Sequence, residues 1–155
     1  MKIYIYAISK DTFVYYEKAF AEFEKRLQHY CKMEFILLNP KTNNSLSVEE
    51  TKKQETNFLL QKLPQKDSFY FFLDENGERF TTMAFTNFIQ RKLQSGVKNL
   101  CFCIGGRYGW DAEQISAFNK IRISDFVLPH QLARLILTEQ LYRVFTIINH
   151  ENYHH

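Results

Sequence analysis

The runs Ser68-Phe69-Tyr70-Phe71-Phe72-Leu73 and Asn99-Leu100-Cys101-Phe102-Cys103-Ile104 are apolar at successive positions, not alternate ones. Neighbouring side chains of a strand point to opposite faces, so such runs require a sheet covered on both sides, the setting of a central parallel strand. Parallel neighbours need crossover connections, usually helices. The rest of the chain supplies them. Met1 to Ser9 sets Ile3, Ile5 and Ala7 against Tyr4 and Tyr6 and reads as a first strand. From Thr12 to Cys31, Phe13, Tyr16, Phe20, Phe23, Leu27 and Tyr30 step at helical spacing, with Glu17, Glu24, Lys25 and Arg26 on other faces. Met33 to Asn39 is a second strand, and Pro40 to Ser45 has loop composition. Ser47-Val48-Glu49-Glu50 has capping-box spacing and opens a helix running to about Leu63. Its first half is nearly all polar, which predicts a surface helix on which Lys52 and Lys53 are solvated, with contact to phosphate the alternative. Asp74-Glu75-Asn76-Gly77-Glu78 reads as a polar turn, after which Thr81 or Thr82 caps a helix through Met83, Phe85, Phe88, Ile89 and Leu93, ended by Gly96. This alternation predicts an α/β fold, a mostly parallel sheet with helices on both faces, in one domain spanning residues 1–155.

The second long apolar run ends in Gly105-Gly106-Arg107-Tyr108-Gly109. Asp111 can cap a short helix through Phe118, Lys120 to Leu128 returns to strand, and Pro129 opens the last helix. Between Leu132 and Ile148 that helix is apolar on nearly every side. Such a helix needs more than one buried contact, and a second copy of the chain is the expected partner, met by outward residues such as Ile136 and Val144. In open α/β sheets ligands bind at the carboxyl ends of strands, where the glycines fall. Backbone amides approach a ligand closely where no Cβ intervenes. Gly-Gly-x-x-Gly is nevertheless not the dinucleotide fingerprint, so spacing leaves a cofactor loop and a plain tight turn as equal alternatives.

Composition narrows the partners. The 20 Lys and Arg against 17 Asp and Glu leave +3, with no polybasic tail and no expectation of DNA binding. Cys31, Cys101 and Cys103 have no zinc-site spacing, and the carboxylates of residues 74–78 lack the remaining ligands of a calcium loop, so no metal is expected. Charges at Lys2, Lys10 and Asp11 break any signal segment, and no run approaches the ~18 apolar residues of a membrane span. A soluble cytoplasmic protein without a membrane partner is the expectation. No Ser/His/Asp or Cys/His arrangement is legible from spacing. His150, His154 and His155 gather around Tyr153, as a frayed polar end or as groups folded onto a site.

Ile104-Gly105-Gly106, Leu128-Pro129-His130 and Gln140-Leu141-Tyr142-Arg143, in that order and spacing, with Leu73-Asp74-Glu75-Asn76-Gly77 and Tyr153-His154, resemble the ribosomal RNA large subunit methyltransferase H family along the whole chain. The resemblance implies a SPOUT-type enzyme, a homodimer with a deep trefoil knot in its C-terminal half. It implies transfer of a methyl group from S-adenosyl-L-methionine to N3 of a pseudouridine in large-subunit (23S) rRNA on assembled ribosomes. By matching motif it places cofactor contacts at Leu73, Gly105, Ile123, Ser124, Asp125, Phe126, Val127 and Leu128. It gives His154, Tyr153 and Arg143 the catalytic roles. The chain departs from the family pattern at Ser9, at Asn152 before Tyr153, and at His155, which stands where a basic residue is usual. A non-catalytic nucleotide- or RNA-binding α/β dimer is the alternative.

Overall fold

A computed structural model describes residues 1–9, 13–41 and 45–153. The strands among them are β1 (Lys2–Ile8), β2 (Lys32–Leu38), β3 (Ser68–Arg79), β4 (Asn99–Ile104) and β5 (Asn119–Arg122). The helices are α1 (Val14–Leu27), α2 (Val48–Leu60), α3 (Thr82–Gln94) and α4 (His130–Ile148). The strands form one sheet in the order β2-β1-β4-β3-β5, and every pair is parallel. The two runs that are apolar throughout are therefore neighbours at its centre, with Phe71 opposite Phe102 and Leu73 opposite Ile104.

Period-two alternation sorts the core onto two faces. Ile3, Ile5, Phe71, Leu100 and Phe102 pack with Leu27, Ile89, Leu137 and Leu141 of α1, α3 and α4. Tyr6, Phe72, Cys101 and Cys103 pack with Leu59, Leu63, Trp110 and Ile115 on the other face. Local signals hold where the chemistry is explicit. Ser47 and Glu50 exchange the capping-box bonds, Thr81 Oγ1 accepts from the Ala84 amide, and Gly96 follows α3 at a φ of +81°.

Five expectations are corrected. The helix α4 lies against α1, α3 and β4 together, and of the two residues expected to face outward only Ile136 keeps partial exposure. Val144 consequently faces inward and is fully buried. The strand expected over Lys120 to Leu128 ends at Arg122. There Arg122 Nε donates to the Ser124 carbonyl and the Phe126 amide donates to Ser124 Oγ, local bonds that compete with a ladder. The polar stretch after Leu73 does not end its strand. Both Leu73 and Glu78 register with Ile121, so residues 74–77 bulge out and β3 resumes to Arg79. Finally, α2 is no plain surface helix, since Glu55 and Thr56 in its polar stretch are buried. The segment after Asp111 stays in turns, although Asp111 Oδ1 accepts from the Gln114 amide as a helix cap would.

Candidate functional site

At the carboxyl end of the sheet, three strand ends and the start of α4 enclose a cavity of about 480 Å³. That falls within the range of small-molecule sites. Its floor is Leu73 and Ile104, the last apolar positions of two central strands, with Ile121 beside them. One wall is the glycine turn. The Gly109 amide donates to the Gly106 carbonyl at 3.0 Å, and Gly109 takes a φ of +76° that side chains resist. The opposite wall is the loop 123–128, and His130 and Ala133 of α4 complete the lining.

The walls are fixed from outside the cavity. Trp110 is buried, and its Nε1 donates to the Leu73 carbonyl at 2.9 Å, tying the glycine turn to β3. The Asp111 amide donates to Thr56 Oγ1 at 3.0 Å, and a Cβ on Gly106 would strike the Glu55 carboxylate, so α2 braces the turn from behind. A Cβ on Gly105 would come within 3.1 Å of the Trp110 ring and 3.3 Å of Gly109 Cα. In the opposite wall Asp125 Oδ1 lies 3.2 Å from both Arg79 Nη2 and Arg122 Nε. That carboxylate anchors its own loop. Lys52, Arg107, Asp74 and Glu75 put charges of both signs around the lining. Burial holds the His130 imidazole below its ordinary pKa, which favours the neutral ring.

All eight positions expected to contact a cofactor, Leu73, Gly105 and Ile123 to Leu128, line this one cavity. The catalytic expectations do not join them within the chain. Arg143 lies ten residues along α4 from Ala133, about 15 Å of helix. Its Nη2 is 2.7 Å and its Nε 3.0 Å from Glu139 Oε1, and its guanidinium carbon lies 5.0 Å from the Tyr153 ring centre. Tyr153 packs edge-on against Tyr142 at 4.6 Å. His154 lies outside the described residues. Sequence reasoning missed Trp110, Glu55, Thr56 and the place of His130 in the lining, and favoured solvation over a ligand contact for Lys52. Only His130, beside the Pro129 that opens α4 on the cavity, carried a legible signal.

Comparison with known proteins places these features in a family. The family model described as predicted SPOUT methyltransferase matches residues 1–154. The protein called ribosomal RNA large subunit methyltransferase H of Cytophaga hutchinsonii is 39% identical over 156 residues, covering 100% of both chains. The protein of the same name from Christiangramia forsetii is 39% identical over 157 residues, covering 100% of this chain and 99% of its own. That of Flavobacterium johnsoniae is 39% identical over 158 residues with the same coverage.

Proposed function

Because this chain belongs to the SPOUT methyltransferase family, we propose that it methylates large-subunit rRNA, using S-adenosylmethionine as donor and N3 of a pseudouridine as acceptor. The reading includes action on assembled ribosomes in the cytoplasm, as a homodimer with a knotted C-terminal half. The observation that carries it is the convergence of Leu73, Gly105 and residues 123–128 on one cavity. Its residues suit the donor. Leu73, Ile104, Ile123 and Leu128 offer apolar surface to an adenine ring, while the backbones of the glycine turn and the loop 123–128 offer amides and carbonyls to its edge and ribose. Asp74 and Glu75 would favour the cationic end, and Lys52 or Arg107 a carboxylate. When bound, the donor supplies a methyl carbon already activated by its sulfonium.

The chain's own tasks are then to hold the acceptor base in line and to take up the N3 proton. N3 lies on the pairing edge, so the target must be an unpaired base drawn into a pocket. Tyr153 is assigned to stacking on or orienting that base, His154 to accepting the proton or bonding the base edge, and Arg143 to a phosphate or base contact. In one chain Arg143 and Tyr153 lie a helix length from the cavity, so they would serve the cavity of the other copy. The surface suits such a pairing. Among the described residues the exposed large hydrophobics are Phe13, Val14, Tyr15, Leu37, Val48, Met83, Tyr108, Phe126 and Val127. In a parallel sheet every strand ends, and every following helix begins, at the same edge, and all nine lie at that end. A second copy packed antiparallel, with the end of its α4 beside this rim, would cover the rim and bring its Arg143 and Tyr153 towards the cavity. No helix among the described residues is long and apolar enough to cross a membrane.

The test is a base-resolved methylation assay on ribosomes from cells lacking the gene, supplied with purified protein and S-adenosylmethionine. One new methyl group on N3 of a large-subunit pseudouridine is the expected result. Tight donor binding with no transfer to any rRNA base would leave the non-catalytic binding module in its place.

A further inference from the structure

After α4 the backbone turns back on itself. The His150 amide donates to the Ile147 carbonyl at 3.0 Å, the Glu151 amide donates to that of Thr146 at 2.9 Å, and His150 adopts a φ of +58°. The turn carries Glu151 to the far end of α1, where Tyr30 Oη donates to Glu151 Oε2 at 2.6 Å across 121 positions of sequence. Tyr30 is itself held by the core, stacked at 5.9 Å on Phe145 and 6.0 Å from Tyr142. A hydroxyl so placed is a fixed point, and a charge-assisted bond to it is short and strong. Burial and then the neighbouring carboxylate push the Tyr30 phenol well above its ordinary pKa, so it stays a donor across the working pH range. Two residues on, the Tyr153 amide donates to the Glu151 carbonyl at 2.9 Å and the ring meets Tyr142.

We infer that Tyr30 and Glu151 form a latch that fixes the turn after α4 and thereby holds Tyr153 in place for methyl transfer. Both are positioning residues, acting through Tyr153, and the inference rests on the proposal that Tyr153 takes part in the transfer. The latch joins the end of α1 to the segment beyond α4, across 121 positions of sequence. Without it the backbone bonds of the turn remain, and Tyr153 keeps its ring packing on Tyr142 and the Arg143 guanidinium 5.0 Å from its ring centre, but the carboxylate of Glu151 loses its anchor on the core-held Tyr30.

The experiment compares Tyr30→Phe, Glu151→Ala and Glu151→Gln with a chain lacking residues 152–155. Donor affinity is measured by calorimetry, kcat and KM on unmodified ribosomes, and release of the terminal residues by carboxypeptidase. Loss of a hydrogen bond to a charged group should lower kcat about tenfold in Tyr30→Phe and Glu151→Ala. KM and affinity for S-adenosylmethionine should stay unchanged, and digestion should run several-fold faster. Glu151→Gln retains an acceptor oxygen and should restore most of the rate. Unchanged digestion in Tyr30→Phe would overturn the latch. So would an unchanged kcat there alongside a slow truncated chain, a result that leaves the functional proposal standing. If the truncated chain keeps its full rate, Tyr153 has no part in the transfer and the latch falls with it, while methylation by the wild-type protein still upholds the activity.

Discussion

Gly77 and Gly105 are glycines for different reasons, and substitution should separate them. A Cβ on Gly77 would lie 2.5 and 2.6 Å from the backbone carbon and nitrogen of Ile121, atoms that cannot yield without parting β3 from β5. Gly77→Ala should therefore cost about 3 kcal/mol, the upper end for overpacking, and urea unfolding would read it. At Gly105 the obstacle is the Trp110 ring, so Gly105→Val should push the indole off the Leu73 carbonyl and leave the fold standing. A strain of about 1–3 kcal/mol transferred to the pocket lowers donor affinity by roughly ten- to a hundredfold. Trp110 is the chain's sole tryptophan, so its fluorescence reports both the displacement and the binding. His130 gives a pH signature. Burial lowers its folded pKa from 6.5, so the proton prefers the unfolded chain. Its contribution to stability is whole above 6.5 and is lost as pH falls towards the folded value, below which the loss levels off. His130→Gln should flatten that part of the stability curve, which sets in as pH falls through 6.5. Of these three positions, Gly105 and His130 stood in motifs legible in the sequence. The need for Gly77 was not legible, because it comes from a register shift between strands far apart in the chain.

Helix by helix, the periodic signals survived and the tertiary contacts did not. The apolar spacing of α1 and α3 located both, whereas α2 hid its role because its buried positions are Glu55 and Thr56, polar residues that brace a turn. Arg134 on α4 is a sharper case. It is buried, with its guanidinium carbon 3.2 Å from the centre of the Phe20 ring and 3.4 Å from that of Phe35, and its Nη1 is 3.6 Å from Glu17 Oε1. Desolvation pulls its pKa down to about 10 in spite of Glu17. The planar cation is thus part of the packing between α1, β2 and α4. Arg134→Ala should cost about 3 kcal/mol through lost ring contacts and the void left behind. Glu17→Ala should cost under about 1 kcal/mol, because its half-exposed carboxylate is screened by water. Thermal unfolding of the two variants would show the asymmetry. Sequence pattern could not reveal the sandwich, since Arg134 occupies a position where an apolar residue would have fitted the same periodicity.

For the whole molecule, a mostly parallel sheet was legible from the two uninterrupted apolar runs, and the burial of Val144 was not. The sequence argument put the second copy on Ile136 and Val144 of α4; Val144 is fully buried and Ile136 half-buried, whereas Phe126 and Val127 are 84% and 94% exposed. Replacing Phe126 and Val127 together by Glu should give a folded monomer in sedimentation, while Val144→Glu should unfold the chain, since an unpaired buried carboxylate is too costly. Methyl transfer should vanish in the monomer if each cavity is completed by the other copy. The strand order has one more consequence, which concerns time. β4 lies between β1 and β3, yet its residues are synthesised after both. A chain still growing on the ribosome therefore holds two separate fragments, β1 with β2 and β3 by itself, each with an open apolar edge awaiting the same partner. Nascent chains stalled before Asn99 should be protease-sensitive and chaperone-bound, and protection should appear only after the β4 segment clears the exit tunnel. Birth order and position in the sheet are inverted, so this protein folds late in its own translation.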